Sequence, residues 1–160
     1  MASLYVYALG EADSLASATF LMHADPRVQA NLAMLDPDAT TLPDPGGQQD
    51  ASVEEIAKLE PDLILIAARA ASQDPMQALG VPIIRYEGET FTALKEGLTL
   101  TGKALGPDAA VRAADLVTYM DERLAAIEAV SGETPADQRK RVFISGTSPL
   151  KTAGKDMLQS

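Results

Sequence analysis

Apolar residues along this chain fall into short blocks separated by polar turn signals. The most informative block is Ser52–Ala67, SVEEIAKLEPDLILIA. Ser52 followed three residues later by Glu55 is a capping-box pattern, in which each side chain satisfies a free backbone N–H of the first helical turn. Val53, Ile56 and Leu59, with Ala57, make one apolar helical stripe. Glu60-Pro61 then ends the helix, because proline disfavours the α conformation in the residue before it. Leu63–Ala67 is an unbroken apolar run, which suits a strand covered on both faces. The segment predicts a short helix, a Pro-Asp turn and a buried parallel strand, and so a sheet flanked by helices.

The other blocks extend this pattern. Leu4–Leu9, LYVYAL, has strong β propensity and stops at Gly10, which predicts a first strand. Ala12–His23 carries Leu15, Ala16, Thr19, Phe20 and Met22 at helical spacing, so strand, Gly turn and helix form a first βα unit. Pro26–Leu35 predicts a short helix, broken by Asp36-Pro37-Asp38. Ala39–Leu42 suits a short strand, and Pro43–Asp50 a surface loop. Met76–Leu79 predicts a short helix stopped by Gly80. Val81–Tyr86, VPIIRY, predicts the next strand, its early proline suiting a strand start. The helix Phe91–Leu105 ends at Gly106-Pro107. Asp108 then caps a long helix with Ala110, Ala113, Ala114, Val117, Met120, Leu124 and Ile127 in helical register. Ser131–Lys140 is a polar linker, and Arg141–Ser145 reads as one more strand. Strands alternating with helices define an α/β fold with a parallel, Rossmann-like sheet flanked by helices.

Composition narrows the function classes. Thirteen Lys and Arg against 23 Asp and Glu give a formal charge of −10. That balance opposes a nucleic-acid partner, whose phosphates need clustered cations, and an anionic membrane surface. With no cysteine, thiolate catalysis, Fe–S clusters and Cys-type zinc sites are excluded. The 4% aromatic content means an aliphatic, Ala-rich core. No apolar stretch reaches the roughly 20 residues that span a bilayer.

Catalytic constellations are lacking from the sequence. His23 is the sole histidine and reads as a helix-end residue. There is no GxSxG elbow, no GxGxxG and no GxxxxGK[ST] loop; Gly146–Lys151, GTSPLK, lacks that spacing. No catalytic residue, metal site or resident cofactor is expected. What remains are loops at the carboxyl ends of parallel strands, where open α/β sheets bind ligands. These carry Gly10 and Glu11, Arg69, Tyr86-Glu87-Gly88, and Thr147–Thr152. Arg69 either meets an anionic ligand or pairs with a neighbouring acid at the surface. Tyr86 either stacks on a planar ligand or caps the core. A nucleotide-binding or enzymatic α/β domain using the Gly10 turn is the competing reading, although Glu11 and Asp13 would repel a phosphate there.

Four stretches in order resemble one family. SVEEIAKLEPDLILIA, then QALGVPIIRYEGETFTALKEGLTLTGKALG, DAAVRAADLVTYMDERL and RKRVFISGTSPLKTAGKDML are similar to the substrate-binding proteins of ABC importers for iron-siderophores, haem and vitamin B12. The resemblance implies a binding protein, not an enzyme, located in the periplasm or lipid-anchored outside the cytoplasmic membrane. It implies residues 1–107 as an amino-terminal lobe, 108–130 as a bridging helix and 141–160 as the start of a truncated second lobe. Strand exchange between two copies at that end would give a homodimer. The implied partners are a permease with its ATPase and a small-molecule metal chelate. Gly10, Glu11, Arg69, Tyr86, Glu87, Thr147 and Lys151 would line the ligand site, and Glu54 would dock on the permease. The aromatics of the vitamin B12-binding member are missing here at Ala68 and Arg85. Arg69, Arg85 and Tyr86 instead suit an anionic iron chelate or haem propionates.

Overall fold

A computed structural model describes residues 2–17, 26–46, 51–68, 73–87 and 90–142. The chain forms two compact units, Met1–Glu87 and Gly88–Ser160.

The first unit is built on two parallel strands, β1 (Ile64–Ala67) and β2 (Ile83–Tyr86). Ile64 is in register with Ile83, and Ala67 with Tyr86. Facing partners in a parallel pair project to the same side. One face therefore carries Ile64, Ile66 and Ile83. It is covered by Ile56 of α3 (Val53–Lys58) and Met76 of α4 (Gln73–Gln77). The expected helix, turn and strand at Ser52–Ala67 is present. Half of the capping box forms: the Ser52 hydroxyl accepts from the Glu55 N–H at 3.3 Å. The reciprocal half does not, because the Ser52 N–H donates to the Pro45 carbonyl and the Glu55 carboxylate pairs with Lys58 at 2.6 Å. Glu60 ends α3 in the left-handed region at φ 47°. Its N–H reaches the Ala57 carbonyl, and Pro61, with no N–H, cannot add the second bond of a Schellman cap.

The first segment overturns the sequence expectation. Ala2–Ala8 is a helix, α1, not a strand. Alternation would bury Tyr5, Tyr7 and Leu9 and expose Val6. Instead Tyr5, Val6 and Leu9 are 4%, 2% and 0% exposed, while Tyr7 is half-buried. That is helical spacing, and tertiary packing has overridden local β propensity. Gly10, at φ 69°, is the left-handed residue that closes the helix. The Glu11 N–H bonds the Val6 carbonyl at 3.1 Å and the Gly10 N–H bonds the Tyr7 carbonyl at 3.0 Å, a complete Schellman motif. A seven-residue helix is too short to persist alone. It is held by packing against β1 and by full burial of Leu9, worth about 1.5–3 kcal/mol.

Two further expectations change downstream. Ala12–Ser14 is a short 3-10 turn and Leu15 is extended, so the expected helix does not start at Ala12; residues 18–23, His23 among them, lie outside the described residues. Pro26–Leu35 is helical as expected, α2. Pro37–Thr41 forms a 3-10 turn where a strand was expected from Ala39. Asp36 dictates this: one carboxylate oxygen accepts from the Ala39 N–H and the other from the Tyr7 hydroxyl at 2.8 Å. A single carboxylate thereby caps the turn and ties it to α1.

The second unit is a helical hairpin of α5 (Phe91–Leu105) and α6 (Pro107–Gly132). Thr90 caps α5 through the Ala93 N–H. The cap of α6 is Gly106, with Pro107 as first helical residue and Asp108 in the first turn, so Asp108 is not the cap itself. The helices approach closely at Gly102, where a Cβ would lie 2.7 Å from the Ala113 Cβ and 2.8 Å from the Ala109 carbonyl oxygen. Lys95 and Asp121 pair at 2.5 Å at the far end of the contact. The remaining turns of α6 extend beyond α5, with Ile127 64% exposed. Arg141 and Val142 are not in a strand, and residues 143–160 lie outside the described residues.

Two outcomes follow from these contacts. Gly102→Ala gains up to about 1 kcal/mol in helix propensity but forces the helices apart. It is expected to lower stability by about 1–3 kcal/mol in urea unfolding, with partial recovery on adding Ala113→Gly; an unchanged midpoint would contradict the close approach. The Tyr7 phenol is pushed up from 10.0 to about 12 by burial first, then by its hydrogen bond to Asp36 and that carboxylate's charge. A raised folded pKa means its stabilisation is complete below pH 10 and lost as pH rises from 10 towards 12. Tyr7→Phe should cost about 1 kcal/mol at neutral pH, and the wild-type advantage should vanish over that alkaline window.

Candidate ligand-facing end of the sheet

Because β1 and β2 run parallel, both end on the same side of the unit, at Ala67 and Tyr86. The Ala68 N–H donates to the Tyr86 carbonyl at 3.0 Å, so pairing persists to the last residue. This is the end at which α/β sheets receive ligands.

The residues named from sequence divide sharply here. Tyr86 points to the face opposite Ile83. It is 8% exposed, with its ring 5.3 Å from that of Tyr5 at an interplanar angle of 77°. This edge-to-face pair roofs the second face of the sheet with α1. Glu87 follows β2 and is exposed. Gly10 and Glu11 do not follow a strand; they form the C-terminal cap of α1. The carboxyl end of a helix carries partial negative charge, so the Gly10 turn lacks the helix N-terminus that a phosphate site there requires. Arg69, Gly88, Thr147 and Lys151 lie outside the described residues.

Sequence reasoning did not single out Tyr5. Its hydroxyl is buried without a hydrogen-bond partner among the described residues, and burial raises its pKa. No sequence signal separates Tyr5 from Tyr7; only the helical conformation of α1 sends one inward and the other to Asp36.

Glu54 sits in the first turn of α3, exposed. An acid there is favoured by the helix dipole. Its neighbour Glu55 is engaged by Lys58, whereas Glu54 forms no ion pair among the described residues. Among the same residues, no cluster of His, Asp and Glu is placed to hold a metal ion, and no helix is long and apolar enough to cross a membrane.

A parallel pair covered on both faces, with both strands ending on one side, is an α/β arrangement. The periplasmic binding protein family model matches residues 3–156, and the chain belongs to that family. Three solved structures show how the fold recurs. The iron uptake ABC transporter substrate-binding protein PiuA from Streptococcus pneumoniae is 20% identical, with a TM-score of 0.66 over 84% of this chain and 45% of its own. The periplasmic heme-binding protein BhuT, in complex with two hemes, is 26% identical, with a TM-score of 0.59 over 83% of this chain and 48% of its own. The molybdate periplasmic binding protein MolA of a Haemophilus influenzae ABC transporter is 14% identical, with a TM-score of 0.66 over 91% and 51%. The chain thus spans about half the length of the solved structures it matches. A search of curated protein sequences returns no significant match.

The aromatic roof has a testable consequence. Tyr5→Phe removes a buried hydroxyl that no group among the described residues satisfies. It is expected to raise unfolding stability by about 1 kcal/mol, opposite in sign to Tyr7→Phe. A loss of stability would show that the Tyr5 hydroxyl is hydrogen-bonded in solution.

Proposed function

We propose that this chain is a ligand-capturing lobe of the solute-binding component of an ABC importer, working outside the cytoplasmic membrane. Its ligand is an iron chelate, haem or a related metal complex, passed unaltered to a permease driven by its ATPase. The observation that carries this reading is the family match across residues 3–156, on a chain whose strands run parallel. The heme-bound BhuT and the iron-uptake protein PiuA support the ligand class. Capture requires no chemistry on the ligand, and the family consists of transporter binding proteins rather than enzymes. In this reading α6 is the stiff connection to a second lobe, whose packing would use the exposed apolar positions Ile127 and Val130.

Glu54 is the permease-docking residue of this lobe. An exposed carboxylate with no ion pair among the described residues is available to a basic socket at low desolvation cost. The test is ligand-dependent stimulation of the cognate importer's ATPase in vesicles, supplied with the full-length binding protein. Glu54→Ala should reduce stimulation at unchanged ligand affinity. Glu55→Ala should leave it intact and cost a few tenths of a kcal/mol of stability through the lost Lys58 pair. Equal effects of the two variants would remove Glu54 from this role.

A further inference from the structure

Three of the chain's 13 lysines and arginines stand side by side at Arg139-Lys140-Arg141, the only such run in the sequence. Their backbone sets them apart as well. They follow the 3-10 turn Ala136–Gln138, and Lys140, Arg141 and Val142 belong to no helix or strand. All three cations are exposed, and Val142 after them is 76% exposed. Arg139 is extended, at φ −67° and ψ 134°, and its Nε donates to the Thr134 carbonyl at 3.1 Å. Among the described residues, Lys140, Arg141 and Val142 make no hydrogen bond or ion pair. Every other described lysine and arginine lies within a helix or strand, from Arg27 in α2 to Arg123 in α6. An endopeptidase takes its substrate as an extended segment that pairs through free backbone N–H and C=O groups, and exposed irregular segments are where such nicking concentrates. Residues inside a helix or strand must first open locally. A trypsin-type specificity pocket holds Lys or Arg by a carboxylate at its base. Among the described residues, both requirements meet at Lys140 and Arg141.

We propose that the peptide bonds after Lys140 and Arg141 are a processing site for a trypsin-type serine endopeptidase. The protease hydroxyl attacks the carbonyl carbon of Lys140 or Arg141, the C–N bond breaks, and the nitrogen leaves with the proton taken from that hydroxyl. Water then gives its OH to the acyl carbon and its remaining proton to the protease oxygen, so the net change is one water added across one peptide bond. Arg139 is the poorer anchor, because its guanidinium is already held by Thr134. The cut falls beyond Gly132, the last residue of α6, and leaves the α5–α6 hairpin whole. The site stands independently of the binding-lobe reading. Where that reading holds, the cut parts α6 from the second lobe and ends capture.

The experiment is limited digestion of the 160-residue chain with trypsin at low ratio, its products followed over time by intact-mass spectrometry. Fragments 1–140 and 1–141 should form at least about tenfold faster than any fragment cut within α2, α3, β2, α5 or α6, and ahead of 1–139. The helical circular dichroism signal should persist while they form. Arg141→Lys should keep both cuts. The double variant Lys140→Gln, Arg141→Gln should abolish both and leave the melting temperature unchanged. Cutting within α2, α3, β2, α5 or α6 as fast as at Lys140 and Arg141 would overturn the assignment, and so would 1–139 forming first. Either failure leaves the binding-lobe reading standing, since that reading is tested by stimulation of the importer's ATPase.

Discussion

Everything in the first unit depends on a four-residue parallel pair being covered on both faces. Parallel pairing supplies only a few slanted hydrogen bonds per strand, and so short a ladder has little stability of its own. Here the cover is supplied from opposite directions along the sequence. Ile56 and Met76, flanking β1 in the chain, close one face. Tyr5, some eighty residues before the end of β2, closes the other by packing edge-on against Tyr86. Leu9 and Val6, buried on the same helix, make that contact part of an apolar face rather than an isolated ring pair. Removing α1 would strip the Tyr5 ring from Tyr86 and the packing of α1 from β1.

The same constraint accounts for what is left at the carboxyl end. Side chains that the covering elements can reach are drawn inward, and those beyond their reach stay out. Tyr86 is within reach and becomes part of the roof. Arg85, one residue earlier but on the other face, lies past the edge of the Ile56–Met76 cover. Strand alternation thus decides which residue serves the core and which meets solvent.

How far this was legible from sequence varied with how local the determining interaction is. SVEEIAKLEPDLILIA reads correctly because its signals lie within a few residues of one another: the Ser52 cap, the Pro61 stop and the apolar run after it. The long helix reads correctly because its periodicity persists over many turns. LYVYAL does not, since its β-prone side chains are made helical by Tyr86, Asp36 and β1, all distant in sequence. The Gly10 stop was visible, but a glycine ends strands and helices alike. Asp36 shows the same effect, because its bond to Tyr7 fixes a 3-10 turn where composition suggested a strand. At the candidate site, the strand end and its exposed Glu87 were legible. That Tyr86 is the buried one of the alternating pair and Arg85 the exposed one depends on which face α1 covers, which no local pattern encodes.

The most direct test of the account is paramagnetic broadening of backbone amides in the 160-residue chain on adding ferric haem, since an unpaired electron near the ligand erases nearby signals. The account predicts loss of the Ala68, Arg85 and Glu87 amides at the carboxyl ends of β1 and β2, with Asp62 and Val81 at their amino ends retained. Broadening centred on Asp62 and Val81, or spread evenly along α6, would contradict it.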